Sequence, residues 1–386
     1  MPTSAKPNPT HMLAQQLLQC PSVTPDAGKV LDHVSNHLTR HGFTITRLPF
    51  GSGKGRVDNL FARYGTGSPH FCFAGHGDVV PPGDLALWQH PPFAGTIDQT
   101  HLHGRGAVDM KGAVACFATA ATTWLEGNAN FNGSISLLLT GDEEGEAING
   151  TTKVVDWLLQ KQQMPDVVLV GEPTCPNTLG EMIKHGRRGS LNCTLTIKGT
   201  QGHVAYPKDA DNPIHRLLPL MEIFHKGVLD KGNADFDPTT IMVTSIDTDN
   251  PASNVIPGEV KVRFNIRFGT TQTARGLIKW LGDHFSTTPH ADLTCSISAE
   301  PFLTPPSAFT KLVNRAIKDI TGITPRLSTS GGTSDARFIA PHCPVIEFGL
   351  VGKTMHKINE SVALADLTQL TRIYARMLDY FFEDTP

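Results

Sequence analysis

Phe71-Cys72-Phe73-Ala74-Gly75-His76-Gly77-Asp78 is a short apolar run that stops in a histidine and an aspartate. Apolar runs of roughly four to eight residues bounded by Gly or Pro read as buried parallel strands. The pattern recurs along the chain. Ile135-Ser136-Leu137-Leu138-Leu139-Thr140-Gly141-Asp142 leads to Glu143 and Glu144, and Val167-Val168-Leu169-Val170-Gly171 leads to Glu172. Val345-Ile346-Glu347-Phe348-Gly349 comes shortly before His356, and Asp109 closes a further run. In open α/β sheets, ligands bind outside the carboxyl ends of the strands. Acids and histidines at several such ends therefore predict one shared site. His76, Asp109, Glu144, Glu172 and His356 form a set that suits two zinc ions bridged by one carboxylate, each ion keeping a position for water.

The chain has 386 residues, which predicts more than one domain, each with its own core. Charged residues make up 18% and the net charge is -3, which argues against disorder and against nucleic-acid binding. No apolar stretch reaches the roughly 18 residues that would cross a membrane. Met1 to Thr10 has no apolar h-region and reads as a frayed leader, not a signal peptide. The seven cysteines include no CxxC pair, and Cys72, Cys116 and Cys193 sit inside apolar runs as small buried thiols. That usage predicts a reducing, cytoplasmic compartment.

From Met12 to about Glu181 helical and strand patterns alternate. Leu13, Leu17 and Leu18, then Val30, Val34 and Leu38, recur at helical spacing. The segment from Lys111 to Leu125 is small and apolar on most faces, so it reads as a helix lying flat on a sheet. Near Arg188 the texture changes. Val260, Val262, Phe264, Ile266 and Phe268 alternate with Lys261, Arg263, Asn265 and Arg267, and Leu191 to Lys198 behaves alike. Period-two alternation predicts an antiparallel sheet with one wet face. Between these strands, Asp211-Asn212-Pro213 caps a helix through Phe224 that Pro219 should kink. After Pro301 the first texture returns, with helices Phe309 to Thr321 and Leu364 to Phe382 around the strand at Val345. The expected fold class is α/β: a mostly parallel-sheet domain with helices on both faces (1–188 and 301–386), interrupted by a smaller α+β domain (189–300).

Each site residue also has a plainer reading. His76 and Asp78 point to the same side of a strand end, so the imidazole can bind metal while Asp78 orients it as a hydrogen-bond acceptor. Alone, they would read as a solvated turn. Asp109, in Gly104-Arg105-Gly106-Ala107-Val108-Asp109-Met110-Lys111-Gly112, would by itself be an N-cap of the following helix. The glycines around it favour close backbone approach. Asp142-Glu143-Glu144-Gly145-Glu146 would ordinarily be a solvated acidic loop, but it emerges from a wholly apolar strand. Neighbouring acids there can divide the work, one binding metal and the other, Glu143, acting as general base and acid. Other chemistries fit worse: GxSxG and HExxH are absent, and Gly352-Lys353-Thr354 lacks the leading glycine of a phosphate loop. The lack of a phosphate cradle disfavours phosphoryl-ester hydrolysis, and the intact ligand set with Glu143 disfavours a catalytically silent binding module.

In order along the chain, Gly75-His76-Gly77-Asp78-Val79-Val80-Pro81, the Gly104–Gly112 block, Asp142-Glu143-Glu144-Gly145 and Gly171-Glu172-Pro173-Thr174 resemble the blocks of a known family. It is the di-zinc amidohydrolase family that includes aminoacylases, glutamate carboxypeptidase-like enzymes and acetylornithine deacetylase. The likeness runs from about Met12 to Leu378. Five more segments narrow it: His185–Leu191, Gly199–Pro207, Asn254–Pro257, Ser330–Phe338 and His356–Glu360. They are similar to a branch that removes succinate from an N-succinyl amino diacid. Acetylornithine deacetylase, or another aminoacylase or dipeptidase of the same fold, is the alternative.

The resemblance implies roles at matching positions. One zinc would take His76 and Glu172 and the other Glu144 and His356, with Asp109 bridging and Co2+ substituting at one site. Glu143 and Asp78 would be catalytic, and a cis peptide bond would follow Asp109. His203, in a turn where a lone histidine is ordinarily a surface residue, would reach the partner's site in a homodimer built through the inserted dimerisation and lid domain, and help stabilise the oxyanion. A substrate with three carboxylates and one ammonium calls for arginines, whose planar fork grips carboxylates at two points. Arg187, Arg188 and Arg267 are the candidates, with Ser190, Tyr206, Asn254 and Thr333 as smaller polar contacts. One departure stands out. The branch reads Asn-Ala-Thr before its last histidine, whereas this chain has Gly352-Lys353-Thr354, and Gly352 has no amide to offer a substrate.

Overall fold

The computed structural model describes residues 7–128 and 130–383. Of the expected leader, residues 1–6 lie outside them. The rest does not fray: Asn8 accepts hydrogen bonds from the Thr10 and His11 amides and caps the helix Pro9–Leu18, so Pro9 and Thr10 are helical. The described chain forms two compact units. One runs to His185 and resumes over Thr304–Ser328 and from Ser334 onward; the other is Gly186–Leu303 with Thr329–Thr333. The return of 329–333 to the second unit differs from the expected span of 189–300 and has no composition change to announce it.

The first unit is built on an eight-stranded sheet. Its order is Thr44–Arg47, Leu60–Tyr64, Ser134–Thr140, His70–His76, Val167–Val170, Val345–Glu347, Met182–Lys184 and Arg326–Ser328. The middle strands, Ser134–Thr140, His70–His76, Val167–Val170 and Val345–Glu347, run parallel. Their residues are buried throughout but for Gly75, as expected of strands covered on both faces. Side-chain alternation separates the two faces. Phe71, Phe73, Leu137 and Leu139 join the large core with the helices Pro9–Leu18, Lys111–Gly127 and Leu364–Glu383. Within it, Phe117 stacks on Phe73 with ring centroids 4.6 Å apart. On the other face, Phe61 meets Trp157 from the helix Thr151–Gln160. The glycine- and alanine-rich helix Lys111–Gly127 is buried along nearly its whole length.

The second unit has a four-stranded antiparallel sheet in the order Thr240–Asp247, Glu259–Phe268, Gly189–Lys198 and Ala291–Ala299. One face packs Leu191, Leu195, Val262, Phe264 and Ile266 against Leu217, Phe224, Leu277 and Leu281 from its helices. Asn212, not Asp211, makes the cap, accepting from the Ile214 amide. Pro219 breaks the helix: Pro213–Leu217 and Met221–Lys226 are joined by the 3-10 turn Leu218–Leu220. Cys193 is a correction. It is not a lone thiol but forms a disulfide with Cys295, its direct cross-strand partner, with Cα atoms 4.2 Å apart. The 102-residue separation hid that pairing from the sequence. Cys20, Cys72, Cys116, Cys175 and Cys343 are unpaired.

Candidate metal centre

Strand register brings the first candidate ligands to one level. His76 is the last residue of its strand and lies opposite Thr140, the end of its neighbour. Val170 lies opposite Ala74 on the other side, so the chain reaches Glu172 at the level of His76. Glu143 and Glu144 follow Thr140 through a turn organised by Asp142. Its carboxylate accepts from the Glu146 amide at 3.1 Å and the Ile148 amide at 3.0 Å. Asp142 is thus a structural acid, leaving Glu143 and Glu144 for the site.

Asp109 and His356 come from loops. Asp109 does not cap the helix that follows; Met110 holds that position and makes no side-chain cap. The plain N-cap reading is overturned because the carboxylate has two histidines to meet instead. The Asp109–Met110 peptide bond is cis. Gly106 before it has φ +86, and a Cβ there would lie 2.7 Å from Val79, so this loop depends on glycine for its close approach. His356 has a left-handed backbone with φ 60.

Among these residues the contacts split into two halves sharing Asp109. His76 Nε2 lies 3.1 Å from Asp109 Oδ1 and 3.7 Å from Glu172 Oε1. His356 Nε2 lies 3.1 Å from Asp109 Oδ2 and 2.9 Å from Glu144 Oε1. Glu143 sits within ligand distance of His76 and Glu172. Asp78 works differently from its expected part. The His76 Nδ1 hydrogen bond goes to the backbone oxygen of Asp78 at 2.9 Å, while its carboxylate stands 3.6 Å away. That carboxylate accepts instead from the amides of Glu144 at 3.1 Å and Glu143 at 3.4 Å. It ties the acidic turn to the histidine strand.

The electrostatics describe a site short of positive charge. Burial opposes a proton on His76, yet Asp109, Asp78 and Glu143 together raise its pKa well above an ordinary histidine. Hydrogen bonds to Asp109 and Glu144 raise His356 to about 10. Burial would raise Asp109, but His356 and His76 hold it below the usual carboxylate range. Glu143 is pushed well up, by burial first and then by the charge of Glu172. Carboxylates crowded on two imidazoles are a donor set that divalent cations satisfy, and the shared Asp109 suits a pair. The ligand set fits a dinuclear centre.

The second unit gathers a different group. Arg267 Nε donates to Asn265 Oδ1 at 2.9 Å, and Asn265 reaches Ser190 Oγ at 3.1 Å. Arg267 Nη1 and Arg188 Nε are buried and have no hydrogen-bond partner among the described residues. Burial and the charge of Arg188 both lower the Arg267 pKa. The positive charge of Arg188 is thus felt at Arg267. Arg187 donates to the Gly332 carbonyl at 3.0 Å, beside Thr333. His203, Tyr206 and Asn254 are exposed, with the His203 and Tyr206 rings 5.6 Å apart and the Val204 amide bonded to the Asn254 carbonyl.

Three residues to which sequence reasoning gave no part belong to the first unit's site. Arg105 and Glu360 are buried beside Asp109 and His356. Buried Asp335, which burial raises to about 6, adds its negative charge to that felt by Glu143. All three lie inside the quoted motif blocks, so position in a block was the available signal.

Residues 72–380 match peptidase family M20/M25/M40. The chain is 54% identical over 372 residues to a succinyl-diaminopimelate desuccinylase of Rhodospirillum centenum, covering 96% of each. It is 50% identical over 372 residues to the enzyme of that name from Gluconacetobacter diazotrophicus, again covering 96% of each. In fold it is similar to an M20-family metallo-carboxypeptidase of Sulfolobus solfataricus, with TM-score 0.80 and 17% identity over 97% of this chain and 99% of that one. A dinuclear metal-binding M20 peptidase of Bacillus subtilis aligns with TM-score 0.70 and 14% identity over 97% of this chain and 99% of that one.

Proposed function

The chain belongs to peptidase family M20/M25/M40, and from that premise we propose that it hydrolyses N-succinyl-L,L-2,6-diaminopimelate to succinate and L,L-2,6-diaminopimelate, a step of diaminopimelate and lysine biosynthesis. Relatives that carry this activity in their name, at 50% to 54% identity over nearly the whole chain, favour it over acetylornithine deacetylase. The observation that carries the chemistry is Asp109, whose two oxygens meet two different histidines beside Glu143.

In this reading His76, Glu172 and Asp109 would hold one zinc ion, and His356, Glu144 and Asp109 the other, with Co2+ able to replace zinc at one position. Ions held there would supply Lewis acidity, polarising the amide carbonyl and lowering the pKa of water towards neutral. The chain's own residues supply the rest. Glu143 accepts that proton and hands it to the departing amine as the C–N bond breaks, so succinate leaves with the oxygen of water. Asp78 keeps His76 and the Glu143–Glu144 turn in register through the contacts described above. Arg188 and Arg267, helped by Ser190, take substrate carboxylates. Arg187, Tyr206, Asn254 and Thr333 complete the polar contacts.

His203 assists the oxyanion from the partner subunit, which requires a homodimer. Support for a dimer through the second unit comes from its two open sheet edges, where Met242, Ile246 and Ile297 are exposed. The cytoplasm suits a chain with five unpaired cysteines, to which the Cys193–Cys295 pair is the exception. Among the described residues no helix is long and apolar enough to cross a membrane.

The test is amide cleavage by the zinc-loaded protein on N-succinyl-L,L-diaminopimelate and on N-acetylornithine. Strong preference for the succinyl compound is expected. Turnover of the acetyl compound alone would keep the centre and overturn the substrate.

A further inference from the structure

Three of the proposed ligands are placed by the sheet: His76 ends its strand, and Glu144 and Glu172 follow theirs closely. Asp109 and His356 are not. Asp109 lies in the loop after the short strand His101–His103, and His356 lies well beyond Val345–Glu347. Both His356 and its near neighbour Asn359 have positive φ, at 60 and 61. Two loops this long have many conformations, and an Asp109–His356 contact of 3.1 Å needs something to select one.

The ion pair Arg105–Glu360 spans both loops. Glu360 Oε2 accepts from Arg105 Nη1 at 2.7 Å and from the Gly106 amide at 3.0 Å. Its Oε1 accepts from the amides of Val108 at 2.9 Å and Asp109 at 3.4 Å. A single carboxylate from the His356 loop thus gathers the backbone of the Asp109 loop. Arg105 returns the arrangement. Its Nη1 donates to the Lys357 carbonyl at 3.2 Å, and its Nη2 reaches the carbonyls of His356 and Pro81, each at 3.4 Å. The Pro81 contact brings in the loop that follows His76 and Asp78. The Gly104 amide also bonds the Glu360 carbonyl at 2.9 Å. Both side chains are buried, Arg105 being 2% exposed and Glu360 0%. A guanidinium suits this work because its fixed fork addresses several acceptors at once; an ammonium is a point charge.

We propose that Arg105 and Glu360 are positioning residues for the metal centre: they hold the bridging Asp109 and the loop ligand His356 in the geometry that the His356–Glu144 half requires. This rests on the ligand set proposed above. Neither side chain is among the proposed ligands. The pair acts through the backbone of two ligands that the sheet does not place. The other half draws His76 and Glu172 from strand ends, so it depends on the pair less, through Asp109 and the Arg105–Pro81 contact.

The test measures stepwise Zn2+ affinity by chelator competition on metal-free protein, with no substrate present, together with the absorption spectrum of the Co2+-loaded chain. Glu360→Gln keeps shape and an acceptor but loses the ion pair; Arg105→Lys keeps charge but loses the fork. Each is expected to weaken the second Zn2+ by roughly 10- to 100-fold, the range typical of lost partners to metal ligands. The first Zn2+ should stay within threefold or so, and the Co2+ spectrum of the second equivalent should change. His356→Ala marks which affinity belongs to that half. A role in stability alone would lower the melting temperature and leave both affinities of the folded protein alone, which overturns the proposal. So does equal weakening of both, or failure of both variants to fold, since the pair would then act on the fold and not on the site. If the parent chain itself binds fewer than two ions, the ligand set fails first, and this inference with it.

Discussion

Nε2 of His356 lies 3.1 Å from Oδ2 of Asp109, although the two residues come from loops far apart in sequence. The other oxygen of Asp109 is directed at His76. One carboxylate therefore contacts both histidines of the proposed centre.

His356→Ala should cost one ion and leave the other. His76, Glu172 and Asp109 still stand together without His356. Metal content after dialysis against a weak chelator reads this directly. Two tightly held ions in the variant would remove His356 from the ligand set.

Glu143→Ala should keep both ions and lose turnover. General acid–base groups contribute roughly 100- to 10,000-fold, and Glu143 is not needed to complete either half-site. Its carboxyl is pushed above the usual range by burial and by Glu172. Turnover and metal content on the same sample separate the outcomes; near-normal activity sinks the assigned role.

Arg267→Ala should raise KM far more than it lowers kcat. Its Nη1 is buried with no partner among the described residues, beside a second guanidinium. A buried charged donor in that state is set up for an anion. Losing a bidentate carboxylate contact costs about 1.5–3 kcal/mol, or roughly 10- to 150-fold. Steady-state kinetics on the succinyl substrate check this, and an unchanged KM would refute it.

What the sequence made legible follows from physics that is local. The parallel strands announce themselves as short apolar runs, and His76, Glu144 and Glu172 stand where those runs stop, so a strand-end rule finds them. The Val260–Phe268 alternation predicts a half-wet sheet for the same reason. Less legible is whatever depends on distant partners. Asp109 satisfies the local rule for an N-cap, and it is His76 and His356, both from elsewhere in the chain, that give it other work. Cys193 has nothing nearby to reveal Cys295. Strand alternation puts Asp78 on the side of His76, but says nothing about the turn whose amides its carboxylate accepts. Glu360 is invisible as a charge that pairs, because Arg105 lies about 250 residues earlier.

Acid should destabilise the fold partly through His70, away from the proposed metal ligands. This histidine opens the strand that ends at His76, is 4% exposed, and shares a 2.7 Å hydrogen bond with Ser136 Oγ. Burial, and then the charge of Arg63, lower its pKa to about 4 from an ordinary 6.5. The sign follows from which state binds the proton. Above about pH 6.5 neither state binds it, and stability does not vary on this account. Between about 6.5 and 4 the unfolded chain takes a proton that the folded chain refuses, so stability falls as pH falls. Below about 4 both states bind it and the loss stops growing. At 1.36 kcal/mol per pKa unit, about two units of this window amount to roughly 2–3 kcal/mol by pH 4.5. Urea melts of metal-free protein at pH 7.5 and 4.5 should show the parent losing about that much more than His70→Gln, because other acid-sensitive groups, His37 among them, are common to both chains. Equal losses in parent and variant would show that His70 is protonated in the folded state as easily as in the unfolded one, and that its burial carries no cost.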